Sequence, residues 1–210
     1  MHNHTSISSC CSRLSAEELI QAAIEKGLDG ICVTEHAEMK GADAARTIGQ
    51  RLHFPVFRGI EARTDLGDML VYGWYDDIPD GVSLDELSTR VHDSGGVIFA
   101  AHPFYTRGGW NLYTAMEQQG YILHKDWNSL GILKKLTGFE IINGSVDRDT
   151  NVLARILASN LGKPGIAGSD AHSLSMVGKA ATRFRVNIRT ESELVEQLKS
   201  GHFEAVRLRY

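Results

Sequence analysis

The sequence has few cysteines, few prolines and no long hydrophobic run. No apolar stretch approaches the roughly 18–20 residues that span a bilayer, so the sequence predicts no membrane-spanning segment. A basic segment followed by an apolar one is also missing at the amino terminus, which argues against a secretory signal. The three cysteines are Cys10, Cys11 and Cys32. An odd number with two adjacent makes a poor disulfide framework and indicates a reducing compartment, so we expect a cytoplasmic protein.

An excess of positive charge is missing as well. The net charge of −4 provides no electrostatic footprint for gripping long nucleic acid or an anionic membrane surface. No linker, internal repeat or low-complexity run divides the 210 residues, which are enough for a substantial core. We therefore expect a single domain over residues 1–210 that binds a small molecule rather than long nucleic acid.

Short apolar strands alternate with amphipathic helices along the chain. The first clear helix is "LSAEELIQAAIEKGLDG", in which Ser15 and Glu18 form a capping box and Gly27 ends the helix. Apolar strand segments follow, among them "GICVTEH", "FPVFRGIEA", "DMLVYGW", "GVIFAAHP", "FEIING" and "KPGIAGSDAH". Residues 105–137 are predicted to be a long loop carrying one or two helices. This alternation predicts an α/β fold with a parallel, helix-covered sheet.

The type of sheet is indicated by a missing motif. No G-x-G-x-x-G or Walker-type glycine loop follows the first strand, so a nucleotide-binding doubly wound sheet is disfavoured. With about seven strands before the C-terminal segment, we expect a closed or distorted seven-stranded β/α barrel.

Metal-binding residue types directly follow the buried apolar segments: Glu35 and His36, Glu61, His102, and Asp170 with His172. In β/α barrels the carboxyl ends of the strands form the rim on which active sites are built. His2 and His4 are spaced so that an extended chain presents both imidazoles on one face. Taken alone, the two histidines could equally be a mobile terminal segment. Their coincidence with the other strand ends favours a metal centre at one rim.

The number of donors exceeds what one ion needs. A single zinc ion takes three or four protein ligands, whereas five imidazoles and at least two carboxylates are available here. The sequence thus predicts two or three divalent ions, and histidine–carboxylate mixtures suit zinc, manganese or iron. Such a cluster would hold a hydroxide nucleophile and clamp the oxygens of a phosphoryl group.

These segments together form a set of family motifs. In order they are His2-x-His4-Thr5, Thr34-Glu35-His36, Gly59-Ile60-Glu61, Ala101-His102-Pro103, Glu140-Ile141-Ile142-Asn143 and Ser169-Asp170-Ala171-His172. The pattern resembles the polymerase-and-histidinol-phosphatase (PHP) domain family. The resemblance implies a distorted seven-stranded β/α barrel with a two- or three-metal centre that hydrolyses phosphoesters.

The resemblance also implies a distribution of ligands among the ions. A first ion would be held by His2, His4, Glu61 and Asp170. A second would be held by Glu61 as the bridge, by His102, and by Asp68, which stands where family members often have another histidine. A third would be held by His36 and His172.

One family ligand of the third position is replaced in this chain. The family usually has an acidic residue or a histidine shortly after the first motif, where this sequence has Ser8, Ser9, Cys10 and Cys11. A thiolate could substitute there, whereas adjacent buried cysteines are more often inert small side chains. An aspartate also commonly precedes the first histidine, a place that Met1 occupies here.

Other residues are candidates for binding or proton transfer. Arg107, just after a ligand strand, is expected to clamp a substrate phosphate and to be catalytic, with Arg148 and Lys179 as further cations. Glu35 would orient an imidazole or shuttle protons. Asn143 would contact the substrate or support a ligand. Each has a simpler interpretation as a solvated side chain, a cap or an ion-pair partner.

The leading functional hypothesis is a metal-dependent phosphoesterase for a small phosphorylated substrate, either a phosphomonoester or a nucleotide. One alternative is an exonuclease of the same family acting on short oligonucleotides or DNA, which the acidic charge disfavours for long DNA. The others are a non-catalytic metal-binding regulatory module and a hydrolase of C–N or C–O bonds.

Overall fold

In the part of the chain that the structure describes, six strands form one curled sheet in chain order. The computed structural model describes residues 1–105, 111–118, 120 and 131–208. The six strands are β1 (Ile31–His36), β2 (Val56–Thr64), β3 (Gly67–Tyr72), β4 (Val97–Ala100), β5 (Gly138–Asn143) and β6 (Gly165–Gly168). A second sheet pairs β7 (Ala180–Phe184) with β8 (Phe203–Arg207).

Helices occur between most of these strands. They are α1 (Ala16–Glu25), α2 (Lys40–Arg51), α3 (Leu84–Asp93), α4 (Leu112–Gln118), α5 (Gly131–Lys134), α6 (Arg148–Asn160) and α7 (Glu191–Ser200). The predicted capping box of α1 is confirmed, because Ser15 and Glu18 each accept from the other's backbone N–H. None of the described helices is long and apolar enough to cross a bilayer.

The main sheet is mixed rather than wholly parallel, which corrects the sequence-based expectation. Strands β1 and β2 are parallel, as are β4, β5 and β6, but β3 runs antiparallel to both of its neighbours. The cause is the short turn between β2 and β3, in which Thr64 pairs with Gly67. A connection of this length can join only antiparallel strands.

The amino-terminal segment lies between the two edges of the curled sheet. The Thr34 N–H of β1 donates to Asn3 O at 2.9 Å, and the Asp170 N–H beyond β6 donates to His2 O at 2.8 Å. Asn3 forms an isolated bridge rather than part of a ladder, because the chain turns away at residues 6–8. The structure therefore supports a curled half-barrel of six strands, and the strand pairing of the described residues does not confirm the seven strands of the expected closed or distorted barrel.

Among the described residues, two large apolar clusters and one small one hold this arrangement together, and the two large ones contribute most of the core. The largest cluster lies between the sheet and its helices and includes Leu19, Ile60 and Phe139. The second large one lies under the second sheet and α7 and includes Tyr72 and Leu198. Burial of such side chains removes apolar surface from water, which contributes roughly 1.5–3 kcal/mol for each large residue. The carboxyl ends of the strands are thereby fixed as one rim.

The C-terminal part is joined to the main sheet by polar contacts as well. The Ala167 N–H of β6 donates to Thr182 Oγ1 of β7 at 2.9 Å. Arg58 of β2 forms a two-pronged ion pair with Glu191 at the start of α7, with N–O distances of 2.7 and 2.8 Å. These contacts hold β7 and α7 against strands that carry rim residues.

Candidate metal centre

Seven of the eight predicted ligands meet at the rim of the main sheet. They form three overlapping groups, and within each group one ligand atom per residue lies within 4.8 Å of the others. The groups are His2, His4 and Asp170; His2, Glu61 and His102; and His4, His36 and His172. The parallel register of β1 and β2 contributes directly, because it sets His36 beside Glu61.

Two carboxylate oxygens lie close to the ligand nitrogens of His2 and His4. His2 Nε2 and His4 Nε2 are 3.0 Å apart, and Glu61 Oε2 lies 3.3 and 3.2 Å from them. Asp170 Oδ1 is 3.6 Å from His2 Nε2 and 3.5 Å from His4 Nε2. Ligand atoms about 2.0–2.2 Å from a tetrahedral ion are separated by about 3.3–3.6 Å, so the distances of both carboxylates from the two imidazoles suit shared ligation of a divalent cation.

Glu61 faces two groups at once. Its Oε2 atom belongs to the cluster around His2 and His4, whereas its Oε1 atom lies 2.9 Å from His102 Nε2. The carboxylate is buried, with 3% of its surface exposed, so it has no competing bulk water. A buried carboxylate with one oxygen near His2 and His4 and the other near His102 would be able to contact two ions.

Glu140 orients His2 from behind, a role that the sequence analysis did not assign. His2 Nδ1–H donates to Glu140 Oε1 at 3.1 Å, which leaves the Nε2 lone pair directed at the cluster. Glu140 Oε2 accepts the His102 backbone N–H at 3.0 Å. The signal in the sequence was a lone carboxylate inside the apolar strand "FEIIN", since a buried charge requires partners.

Glu35 supports His4 through one intervening residue. His4 Nδ1 lies 3.2 Å from Ser9 Oγ, and Ser9 in turn donates its hydroxyl hydrogen to Glu35. Glu35 is fully buried and also accepts the Thr5 backbone N–H at 3.0 Å. This chain fixes the His4 tautomer with Nε2 toward the cluster. The contact fits the orienting role that the sequence left open for Glu35.

The side-chain amide of Asn143 forms hydrogen bonds with other residues of the protein. Its Nδ2 donates to Glu140 Oε2 at 2.9 Å and to Asp170 Oδ2 at 3.3 Å, and its Oδ1 accepts the Ser145 N–H at 2.8 Å. The residue is fully buried. Of the two roles predicted for Asn143, support of a ligand matches these contacts, because substrate contact would require breaking them.

Asp68 lies near the cluster but outside the three donor groups of the described residues. Its Oδ1 atom is 3.6 Å from Arg63 Nε, its partner on the neighbouring strand. Burial raises the pKa of Asp68, and the negative charge of Glu61 raises it further. Asp68 thus remains a predicted ligand that is paired with an arginine here.

The predicted phosphate-binding cations are less closely defined by the structure. Arg148 is exposed at the start of α6, and Lys179 is exposed just before β7. The Cβ atom of Lys179 packs against Gly144, which directly follows Asn143, so its side chain starts close to the rim. Arg107 lies outside the described residues.

The adjacent cysteines are exposed, which corrects the expectation that they would be buried. Cys11 Sγ lies 3.4 Å from His36 Nε2, at the solvent-facing side of the cluster. Cys32, in contrast, is buried in β1. The cause of the exposure is the turn at residues 6–8, which carries the cysteine pair over the rim instead of into the core.

The electrostatics of the cluster favour positive charge in its interior. Burial alone would raise the pKa of Asp170, but the positive charge of His2 and the bond with His4 hold it well below its usual range. Burial would lower the pKa of His102, yet its bond and charge interaction with Glu61 raise it to about 9. The carboxylates therefore stay ionised, and their negative charge favours a cation, which would displace the protons from the imidazoles that it binds.

The backbone is strained at two of these positions. His102 has φ +26° and Asp170 has φ +50°, values that L-residues other than glycine rarely adopt. Both residues follow their strand by two positions, and the strained turns direct their side chains into the cluster. Such strain costs about 1–3 kcal/mol for each residue and concentrates at functional sites.

Comparison with known proteins agrees with this geometry. The sequence profile of the PHP domain matches residues 1–148, and that of the PHP-associated region matches residues 148–203. The chain belongs to the PHP family. The family resemblance inferred from the motifs is thus confirmed. Five of the six motifs lie within the PHP domain match, and Ser169-Asp170-Ala171-His172 lies within the PHP-associated match.

Individual PHP relatives are distant. The uncharacterized protein MJ1587 of Methanocaldococcus jannaschii is 26% identical over 86 residues, which are 41% of this chain and half of that protein. PsfC of Pseudomonas syringae PB-5123 superposes with a TM-score of 0.68 at 18% identity, covering 99% of this chain and 90% of PsfC. A Bifidobacterium adolescentis protein, provisionally named a metal-dependent phosphoesterase, has a TM-score of 0.61 at 16% identity and 94% coverage of both chains. These similarities establish the fold.

Proposed function

We propose that this protein is a metal-dependent phosphoesterase that hydrolyses a small phosphorylated substrate, either a phosphomonoester or a nucleotide. The observation that carries the proposal is the position of Glu61 between two donor groups. Its Oε2 atom lies within 3.3 Å of the ligand nitrogens of His2 and His4, and its Oε1 atom lies 2.9 Å from that of His102. A carboxylate bridge between neighbouring cations suits phosphoester hydrolysis, in which both the attacking and the leaving oxygen need stabilisation.

The donor set fits two divalent cations well and allows a third. His2, His4, Glu61 and Asp170 would hold the first, Glu61 and His102 with Asp68 the second, and His36 with His172 the third. Nitrogen and carboxylate donors of this kind suit zinc, manganese or iron. When bound, such ions acidify coordinated water and neutralise charge on a phosphoryl group.

Other residues of the chain would orient the metal ligands and bind the substrate. Glu140 and Asn143 hold their partners His2 and Asp170 in place through the hydrogen bonds described above. Because these partners are buried, little reorganisation is needed when cations and substrate bind. Outside the cluster, Arg148, Lys179 and Arg107 would provide positive charge for the phosphate group.

The test combines metal analysis with a substrate panel. The protein is stripped with a chelator and reconstituted with zinc, manganese or iron. It is then assayed with an aryl phosphomonoester, an aryl phosphodiester, nucleoside monophosphates, short single-stranded and duplex DNA, and an amide. His4→Ala and Asp170→Ala should lose metal and hydrolysis together. His92→Ala on α3 should keep both, because this side chain lies outside the donor groups of the described residues.

Each alternative function predicts a different result. Hydrolysis of oligonucleotides alone would favour the nuclease, and hydrolysis of the amide alone would favour a C–N hydrolase. Two or more bound ions without hydrolysis of any phosphoester would favour a regulatory metal-binding module. Equal damage from His92→Ala and His4→Ala would show that the site has been chosen wrongly.

A further inference from the structure

If His4 binds an ion in the buried part of the cluster, an ion at the solvent-facing end has too few protein ligands. His4 Nε2 faces His2, Glu61 and Asp170, and its Nδ1 is bonded to Ser9. An imidazole nitrogen has one lone pair, so His4 cannot serve two ions with the same atom. An ion beside His36 and His172 would therefore have two imidazoles and needs another protein donor.

The Nδ1 contacts of these two imidazoles indicate which nitrogen of each ring remains available. His36 Nδ1 lies 3.2 Å from Glu61 Oε2, and His172 Nδ1 lies 3.0 Å from the backbone oxygen of Asp170. His172 Nδ1 thus donates to the backbone oxygen and His36 Nδ1 faces the carboxylate, so in both rings Nε2 is the nitrogen that remains for another partner. His36 Nε2 is the atom that lies 3.4 Å from Cys11 Sγ.

We propose that the Cys11 thiolate is a metal ligand and completes a Cys11–His36–His172 set at the solvent-facing end of the centre. The inference rests on the proposed metal centre and adds a ligand type that the rest of the centre lacks. With zinc–nitrogen bonds of about 2.0–2.1 Å and a zinc–sulfur bond of about 2.3 Å, the two ligand atoms of a tetrahedral ion are about 3.6 Å apart. The separation of 3.4 Å is close to this value.

Cys11 and Cys10 differ in a way that provides a matched control. Both thiols are exposed, but within the described part of the chain only Cys11 contacts an imidazole of the cluster. Substitution of either cysteine by serine removes one sulfur atom from the same turn. A difference between the two variants therefore reports on ligation rather than on local folding.

The consequence is a position with its own metal preference. Thiolate is a soft donor that favours zinc, cobalt or cadmium over manganese or magnesium, whereas the imidazole–carboxylate groups accept harder ions. Three protein ligands would also leave one position of a tetrahedral ion open to water or substrate, as in catalytic zinc sites. The centre would then bind zinc at this end even when manganese occupies the buried positions.

Cobalt(II) spectroscopy tests the ligand directly. The full chain is stripped of metal, kept reduced with a phosphine that does not bind metal, and titrated with cobalt(II). A sulfur-to-cobalt charge-transfer band in the near ultraviolet reports thiolate ligation, and the visible d–d bands report bound cobalt of any ligation. We expect the charge-transfer band in the wild type and in Cys10→Ser, and its complete loss in Cys11→Ser with d–d bands retained.

Alkylation provides a second measurement. Iodoacetamide labelling, mapped by mass spectrometry, should modify Cys11 in the metal-free protein and be suppressed by zinc, while Cys10 is labelled in both states. A charge-transfer band that survives in Cys11→Ser would overturn the proposal. So would cobalt binding by the wild type without the band, the result expected if the thiol only hydrogen-bonds to His36.

The outcomes separate this proposal from the proposed function. A charge-transfer band in a protein that hydrolyses no phosphoester would support Cys11 ligation and contradict the function. Hydrolysis with d–d bands but no charge-transfer band would support the proposed function and contradict Cys11 ligation. Failure to bind any cobalt would contradict both.

Discussion

His2 and Glu140 form a fully buried pair in which the imidazole Nδ1 lies 3.1 Å from the carboxylate Oε1. The same carboxylate accepts the backbone N–H of His102 through its other oxygen. One residue of β5 therefore positions donors that come from the amino-terminal segment and from the end of β4. The carboxylate thus supports the candidate ligands from behind.

Glu140→Gln should weaken metal binding without unfolding the protein. The amide is similar in size to the carboxylate but lacks its charge, so it holds the His2 tautomer less strongly and makes the imidazole a poorer ligand. We expect metal affinity to fall about 10–100-fold, the usual effect of losing an outer partner of a ligand. Competition with a chromophoric chelator measures the affinity, with Glu196→Gln on α7 as the exposed control. Unchanged affinity in Glu140→Gln would contradict the orienting role.

Gly168→Ala should disturb the same pair by steric conflict. A Cβ atom at this position would lie 2.4 Å from His2 Cβ and 2.5 Å from Glu140 Oε1. Forcing these buried groups apart should lower the free energy of unfolding by about 1–3 kcal/mol. It should also weaken metal binding. Urea titrations of the metal-free protein measure the first effect. Gly131→Ala is the control, because an added Cβ there meets no atom within 4 Å. Equal stability of the two variants would show that the backbone adjusts freely.

The Arg58–Glu191 ion pair should make stability depend on acidic pH. Burial raises the pKa of Glu191, but the bonds and charge of Arg58 outweigh this and hold the pKa below its usual value. Because the folded pKa is below the unfolded one, the stabilisation is present above the unfolded pKa of about 4.3 and is lost as the pH falls through the folded pKa. Glu191→Gln should cost about 1 kcal/mol at pH 7 and progressively less below pH ~4.

Urea unfolding of the wild type and Glu191→Gln across this pH range measures that difference. Glu196→Gln on the same helix is the control, and it should follow the wild type at every pH. A cost for Glu191→Gln that stays constant down to the acid limit would mean that the carboxylate charge is not what stabilises the contact.

Lys179→Ala should weaken substrate binding more than turnover. The side chain begins next to the rim, packed against Gly144, and would add charge interaction with a phosphate group. We expect KM for an aryl phosphate to rise about 10-fold, equivalent to about 1.4 kcal/mol, with metal content unchanged. Arg155→Ala on the exposed side of α6 removes the same charge at a different place and should leave KM unaffected. A similar rise in both variants would indicate only a loss of overall positive charge.

The sequence predicted those parts of the site that depend on residues within one strand or one helix end. His36 and Glu61 were both expected at strand ends on one rim. His36 does end β1, whereas Glu61 lies within β2, and the parallel register sets the two residues side by side. The helix caps were predictable for the same reason, since Ser15 and Glu18 are only three residues apart.

The parts that were not predicted depend on contacts between distant residues. Glu140 contacts His2 across 138 positions, and nothing near either residue in the sequence specifies that pair. The exposure of Cys10 and Cys11 follows from the direction in which the chain leaves the rim after His4, which composition does not determine. The antiparallel β3 was within reach, because a turn as short as that around Gly67 permits only this direction.

The segment of residues 2–4 both provides two metal-ligand candidates and hydrogen-bonds to the two edges of the main sheet. Ion binding by this segment and its pairing with these edges would therefore be coupled, and each would strengthen the other by the same free energy. Hydrogen exchange at the Thr34 and Asp170 amides, which both bond to the backbone of this segment, should slow when cations bind. The amino-terminal segment would then transmit occupancy of the centre to the stability of the whole barrel-like sheet.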